Sequence, residues 1–127
     1  GIDSAVVIVG SKNVPAPGPG AAAYSAAKAG LTQLARIAAL ELAPHGVRVN
    51  TVHPNAVFDT AIWTEEVLAG RAAHYGLTVG EYKTSNLLAQ EVRSKDVAAM
   101  VCAMAGPDFS RTTGAQVPVD GGTERIV

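Results

Sequence analysis

The stretch Ala5-Val6-Val7-Ile8-Val9-Gly10-Ser11 decides the fold. Five apolar residues in a row, four of them β-branched, read as a strand covered on both faces in a parallel sheet, with Gly10 closing it. Residues 12–21 carry Pro15, Pro17, Gly18, Pro19 and Gly20, which prevent regular structure and predict a loop. From Ala22 to Ala43 the residues Ala27, Leu31, Leu34, Ala35, Ala38 and Leu42 recur at helical spacing, and Pro44-His45-Gly46 stops the helix. A second stripe, Ala26, Gly30, Gln33, Ile37 and Leu40, is also largely apolar, so one face is expected on the sheet and another against a partner subunit. Val47 to His53 alternates Val47, Val49 and Val52 with polar positions and reads as the next strand. Strand, helix and strand make one crossover unit, expected to be right-handed.

Beyond it, residues 64–75 and 78–85 read as two short helices forming a lid. Thr78 with Glu81 three positions on has the capping-box spacing. Ser94 is expected to cap a helix running to Ala105, with Asp96 in its first turn and Gly106-Pro107 just past its end. Ala115 to Val119 reads as a last short strand, and Leu87 to Arg93 is open between loop and strand. No repeat or linker divides the chain.

Composition agrees with an α/β domain. The 127 residues are 48% hydrophobic and 17% charged, rich in small residues that let helices lie close on a sheet. A net charge of -1 without a basic run predicts no nucleic-acid partner and no binding to an anionic membrane. The single cysteine, Cys102, has no disulfide partner within the chain and is expected buried and inert on an apolar helix. No Cys/His spacing suggests a metal. The opening residues lack the basic start of a secretion signal, so a cytoplasmic protein is expected. The chain begins almost directly on a strand without Met and reads as a piece of something longer.

Tyr24 and Lys28 stand four apart at the start of the long helix and so share a face. A phenol titrates near ~10, and an ammonium beside it favours the ionised form, which suits proton exchange with an alcohol or carbonyl. Ser11, at the strand end, is placed to reach the same oxygen. A lone Tyr/Lys pair is ordinarily a solvated face without chemistry. The ordered set carries more: Gly10-Ser11, Tyr24-Ser25-Ala26-Ala27-Lys28, Val47-Arg48-Val49-Asn50, Pro54, Thr60 and Pro118-Val119-Asp120-Gly121-Gly122.

That series resembles the short-chain dehydrogenase/reductase family over essentially the whole chain. The resemblance implies the C-terminal portion of a doubly wound, Rossmann-like parallel sheet, truncated, so that residues 1–127 form a partial domain holding the active-site helix, lid and last strand. It further implies an NAD(P)-dependent oxidoreductase acting on a small-molecule carbonyl or alcohol. By likeness, Ser11 positions the substrate oxygen, Tyr24 is the general acid/base, and Lys28 binds the nicotinamide ribose and favours the ionised phenol. Tyr24, Lys28, Pro54, Asn55, Val57 and Thr60 would contact NAD or NADP.

The chain departs from the family pattern in two ways. Asn55 stands where the family has glycine after the proline, and it is the non-glycine residue that best tolerates a left-handed backbone. The glycine-rich phosphate loop and the acidic ribose ligand, which also decides between NAD and NADP, have no counterpart here. The 127 residues alone are therefore expected to bind a dinucleotide poorly. Within the family, Ser11 to Gly18, His53 to Phe58, Trp63 to Glu66 and His74 to Thr78 resemble the dehydrogenase part of bifunctional rhamnulose-phosphate aldolase/alcohol dehydrogenases. That likeness implies a covalently linked aldolase domain and lactaldehyde as substrate. The rival expectation is a non-catalytic fragment that assembles as a homo-oligomer through its long helix and last strand.

The other polar and aromatic residues read more plainly. His45 suits a helix end and His74 the lid surface. His53, ending a strand beside the cofactor loop, is open between a substrate contact and a structural one. Phe58, Trp63 and Tyr75 are open between lining a pocket and packing. Arg48 and Asn50 are assigned to structure.

Overall fold

The computed structural model describes residues 3–123. The ends of the partial domain expected over 1–127 therefore lie outside the described residues. Seven elements follow in order: β1 (Ser4–Val9), α1 (Ala22–Leu42), β2 (Val47–Pro54), α2 (Glu65–His74), α3 (Val79–Lys83), α4 (Ser94–Ala105) and β3 (Gln116–Val119). Single 3₁₀ turns close α1 and α4 at Ala43–His45 and Pro107–Phe109. After the first of these, Gly46 takes a left-handed φ of 75° and donates its N–H to the Ala43 carbonyl at 3.0 Å, turning the chain into β2.

The strands form one parallel sheet in the order β1-β2-β3, with Ser4 opposite Val47 and Thr51 opposite Gln116. Side chains alternate along β2, and that alternation sorts the layers. Val47 and Val49 pack with Ala35, Ala38, Ala39 and Leu42 of α1, and with Ile8. Arg48, on the other face, donates to the Met104 carbonyl at 3.0 Å, near the end of α4, and to the Phe109 carbonyl at 2.8 Å in the turn that follows. The two helices thus cover opposite faces. Asn50 donates to the Thr112 carbonyl and accepts from the Ala115 N–H, each at 2.9 Å, holding the approach to β3. Arg48 and Asn50 are structural, as their place on a strand suggests.

The strand covered on both faces is β2, not β1 as its continuous apolar run predicts. Five consecutive β2 residues, Val49 to His53, are buried, whereas Val6 and Val9 of β1 are exposed. β1 stands at a sheet edge among the described residues, so a continuous apolar run records only that a strand can be buried. The helix stripe is also rotated from expectation. Thr32, Ala35 and Ala39 are the buried positions of α1, while Leu34 is 61% and Leu40 78% exposed. The sheet admits the small side chains and leaves Leu34 and Leu40 outward.

The lid helices follow their caps. The Thr64 hydroxyl accepts from the Val67 N–H, and Thr78 and Glu81 close a reciprocal capping box. Residues 87–93 form no strand, but the Leu87 and Leu88 N–H groups donate to the carbonyls of Gly122 and Gly121. No described helix is long and apolar enough to cross a membrane.

Lys12 and Asp120 tie the loop after β1 to the turn after β3. Their charged groups meet at 2.8 Å with side chains only 3% and 6% exposed, and Asp120 also accepts from the Gly122 N–H at 2.8 Å. Removing one partner of a buried pair strands the other charge. Asp120→Asn is accordingly expected to lower the unfolding free energy by about 3–5 kcal/mol, read from urea titrations. Adding Lys12→Met to that variant should recover most of the loss, and equal stabilities of the single and double variants would contradict the role given to the pair.

Candidate active site

The site forms where the C-terminal ends of parallel strands open, the usual crevice of such sheets. Gly10 and Lys12 continue the ladder beyond β1, donating to Val52 and Pro54 at 2.8 and 3.0 Å. Ser11, between them, is buried. Its Oγ accepts from the Asn13 N–H at 3.1 Å and its carbonyl from the Val14 N–H at 3.0 Å. The loop that follows folds back on the same residue, which leaves the Ser11 hydroxyl proton as the group to be donated.

Tyr24 lies in the first turn of α1 and is half exposed. One turn later, Lys28 donates from Nζ to the Val9 carbonyl at 3.2 Å and lies 6.0 Å from the centre of the Tyr24 ring. The lysine joins α1 to the end of β1 as well as standing beside the phenol.

The segment after β2 lines the opposite wall. Asn55 donates its N–H to the Val119 carbonyl at 3.2 Å and so extends the sheet. The left-handed residue is Ala56, at φ 53°, rather than Asn55, because the ladder holds Asn55 and the chain turns one position later. The Thr60 hydroxyl donates to the Val57 carbonyl at 3.1 Å. Phe58 is buried, edge-on to Trp63 at 4.8 Å and beside Tyr82 at 5.1 Å; its role is packing. Tyr75 stacks on Tyr82 at the lid surface, and Trp63 both packs and faces the cleft.

Ser94 does not cap α4 with its own oxygen. Its N–H and hydroxyl both donate to the Asp59 carboxylate, at 2.9 and 2.8 Å, so a residue 35 positions away takes the helix's first free donor. The Arg93 N–H is accepted by Asp96 at 2.8 Å.

Ser11, Tyr24, Pro54, Asn55, Val57 and Thr60 line a single cleft of about 740 Å³. Of the catalytic and cofactor-contacting residues expected from the sequence, Lys28 alone is not part of the lining. Ile62, Trp63, Val97, Val101 and Cys102 complete the lining. Cys102 is exposed, contrary to the expectation of a buried thiol. Ser94, Val97, Ala98, Val101 and Cys102 share one face of α4 at helical spacing, a signal present in the sequence but indistinguishable there from a core stripe. A second cleft, about 350 Å³, lies at the opposite ends of the strands around Asp3, Gly46 and Arg111 and holds none of the predicted site residues. Among the described residues no cluster of His, Cys, Asp and Glu could hold a metal.

Comparison with known proteins agrees with the fold. The sequence model of a family described as enoyl-(acyl carrier protein) reductase matches residues 2–124. An oxidoreductase of the short-chain dehydrogenase/reductase family from Burkholderia thailandensis superposes with a TM-score of 0.73 at 35% identity, over 94% of this chain and 44% of that one. The chain belongs to the short-chain dehydrogenase/reductase family. The NADPH-bound short-chain oxidoreductase of Pseudomonas aeruginosa PAO1, described as having an atypical catalytic centre, gives a TM-score of 0.80 at 30% identity over 98% of this chain and 48% of that one. The uncharacterized oxidoreductase YuxG of Bacillus subtilis is 38% identical over 92% of this chain but only 18% of its own length. The chain thus spans about half the length, or less, of the relatives it matches.

The walls suit one end of a family cofactor. Apolar Val9, Val57, Val97 and Val101 with the polar Ser11 and Tyr24 fit a flat carboxamide-bearing ring and its sugar. The pyrophosphate end has no glycine-rich cradle among these residues.

The Asp59 contact at the rim is testable by pH. The Ser94 backbone N–H, and then its hydroxyl, hold the Asp59 carboxyl below its ordinary value of 3.8. A lowered folded-state value means that the stabilisation is present above the ordinary value and fades as pH falls through the lowered one. Asp59→Ala should therefore melt below the parent near pH 7, and the two melting temperatures should converge as the pH falls below the ordinary carboxylate value and through the lowered one. A gap that persists in acid would show that the charge is not what caps α4.

Proposed function

We propose that this chain is the catalytic half of a nicotinamide-dependent oxidoreductase interconverting an alcohol and a carbonyl. The observation that carries the reading is the convergence of Ser11 and Tyr24 on one cleft whose far wall is the Pro54–Thr60 loop. NAD or NADP, when bound, supplies hydride transfer. Pro54, Asn55, Val57 and Thr60 would hold its nicotinamide end, with Tyr24 and Lys28 on the ribose. Ser11 donates a hydrogen bond to the substrate oxygen and orients it. Tyr24 gives the proton to that oxygen in reduction and takes it back in oxidation. Lys28, fixed by the Val9 carbonyl, keeps a positive charge close to the phenol as it ionises.

Family membership supports the reaction class, and the NADPH-bound Pseudomonas relative supports the cofactor class. For the substrate we propose a small hydroxyaldehyde, lactaldehyde, on the resemblance to aldolase/dehydrogenase fusions. One relative is long enough for this chain to make up only 18% of it, as a fused arrangement requires. The exposed Leu34, Ile37 and Leu40 of α1 favour burial against a second copy, and we propose a cytoplasmic homo-oligomer.

Two measurements decide the reading. In a protein joining this chain to a dinucleotide-binding half, Tyr24→Phe should reduce turnover by about 10²-fold or more, the scale of a lost general acid, with the mass by light scattering unchanged. Unchanged turnover would sink the assignment. Calorimetric titration of the 127 residues with NAD⁺ and NADP⁺ should show weak binding or none. Tight binding would mean that the chain holds the cofactor without a phosphate cradle.

A further inference from the structure

His53 is buried at 1% exposure and engaged at both ring nitrogens. Its Nδ1 accepts from the Ser11 N–H at 3.1 Å, and its Nε2 meets the Gln116 Oε1 at 2.9 Å. An acceptor at Nδ1 carries no proton, so the proton of the neutral ring sits on Nε2 and is donated to Gln116. The neutral ring therefore has one compatible tautomer.

The reason for this placement lies in the ladder. Gly10 and Lys12 donate to β2, while Ser11, the residue between them, has no ladder partner there. A buried N–H without an acceptor is costly. The imidazole supplies that acceptor by lying across Gly10, where a side-chain carbon would stand only 2.5 Å from Nδ1 and 2.7 Å from Cε1. Glycine at position 10, histidine at 53 and glutamine at 116 thus act together on the main chain of Ser11.

We infer that His53 is a positioning residue: through the Ser11 N–H it sets the direction in which the Ser11 hydroxyl meets the substrate oxygen. The inference rests on the reaction proposed above, but it concerns a residue that does not line the cleft. The alternative is a histidine that merely fills the core beside the site.

The test is a double-mutant cycle in the complete protein. His53→Leu keeps the bulk and removes the acceptor. It should lower kcat on the order of 10²-fold, the scale of a misplaced catalytic group, with the cofactor KM nearly unchanged. His53→Asn, whose Oδ1 can stand in for Nδ1, should restore most of the loss. In a Ser11→Ala background the same His53→Leu change should cost little more, because the hydroxyl it positions is gone. An equal loss in that background, or an unchanged kcat in a folded His53→Leu protein, overturns the inference. Turnover that survives Tyr24→Phe would instead overturn the reading of the site itself. Imidazole ¹⁵N spectra of the unsubstituted protein read the same point without any variant. A proton on Nε2 and an accepting Nδ1 are expected at neutral pH, and a proton on Nδ1 would refute the arrangement.

Discussion

The parallel ladder between β1 and β2 is the constraint on which the rest depends. It brings Val9 opposite Val52 and continues past the strand end, so that Gly10 and Lys12 remain bonded to the segment that becomes the far wall of the cleft. Every group assigned a role in chemistry hangs from it: Ser11 through its ladder-bonded neighbours Gly10 and Lys12, Tyr24 through the Lys28 bond to Val9, and the Pro54–Thr60 loop as the continuation of β2. Backbone hydrogen bonds are individually worth only about 1 kcal/mol net, but a register cannot slip by one residue without turning each side chain to the other face. The geometry of the cleft is a consequence of register.

The polar groups beneath the site serve that same constraint. The Lys12–Asp120 pair joins the loops after β1 and β3, His53 takes the N–H that the ladder passes over, and Asn50 and Arg48 satisfy carbonyls on the approach to β3 and at the end of α4. None of these four needs to meet a substrate. They occupy positions where an unpartnered polar group would otherwise be buried, and they turn loops without regular structure into a fixed wall. The apolar core is by contrast modest, built of alanines and valines between α1 and β2, and its exposed leucines face outward.

Some of this was legible before any coordinates. The strand ends, the long helix, the capping box at Thr78 and the convergence of Ser11 with Tyr24 follow from periodicity, turn residues and capping chemistry, which act over a few positions. The departures share a cause. Leu34 was placed on the buried face of α1, the left-handed turn at Asn55, the cap of α4 on Ser94 and Cys102 in the core. Each error assigned to a local preference what a distant partner decides: the sheet beneath α1, the Val119 carbonyl, the Asp59 carboxylate and the open face above the cleft.

The sequence by itself determined the alternation of strand and helix, the shared face of Tyr24 and Lys28, and the family, because these rest on spacing along the chain. Only the tertiary structure decided which strand is buried, which carboxylate caps α4, that Lys12 and Asp120 meet, and that His53 serves Ser11. Those contacts join residues 35 to 108 positions apart. No local preference specifies a partner at such separation; it is chosen when the ladder closes and each buried donor must find the acceptor that geometry leaves within reach.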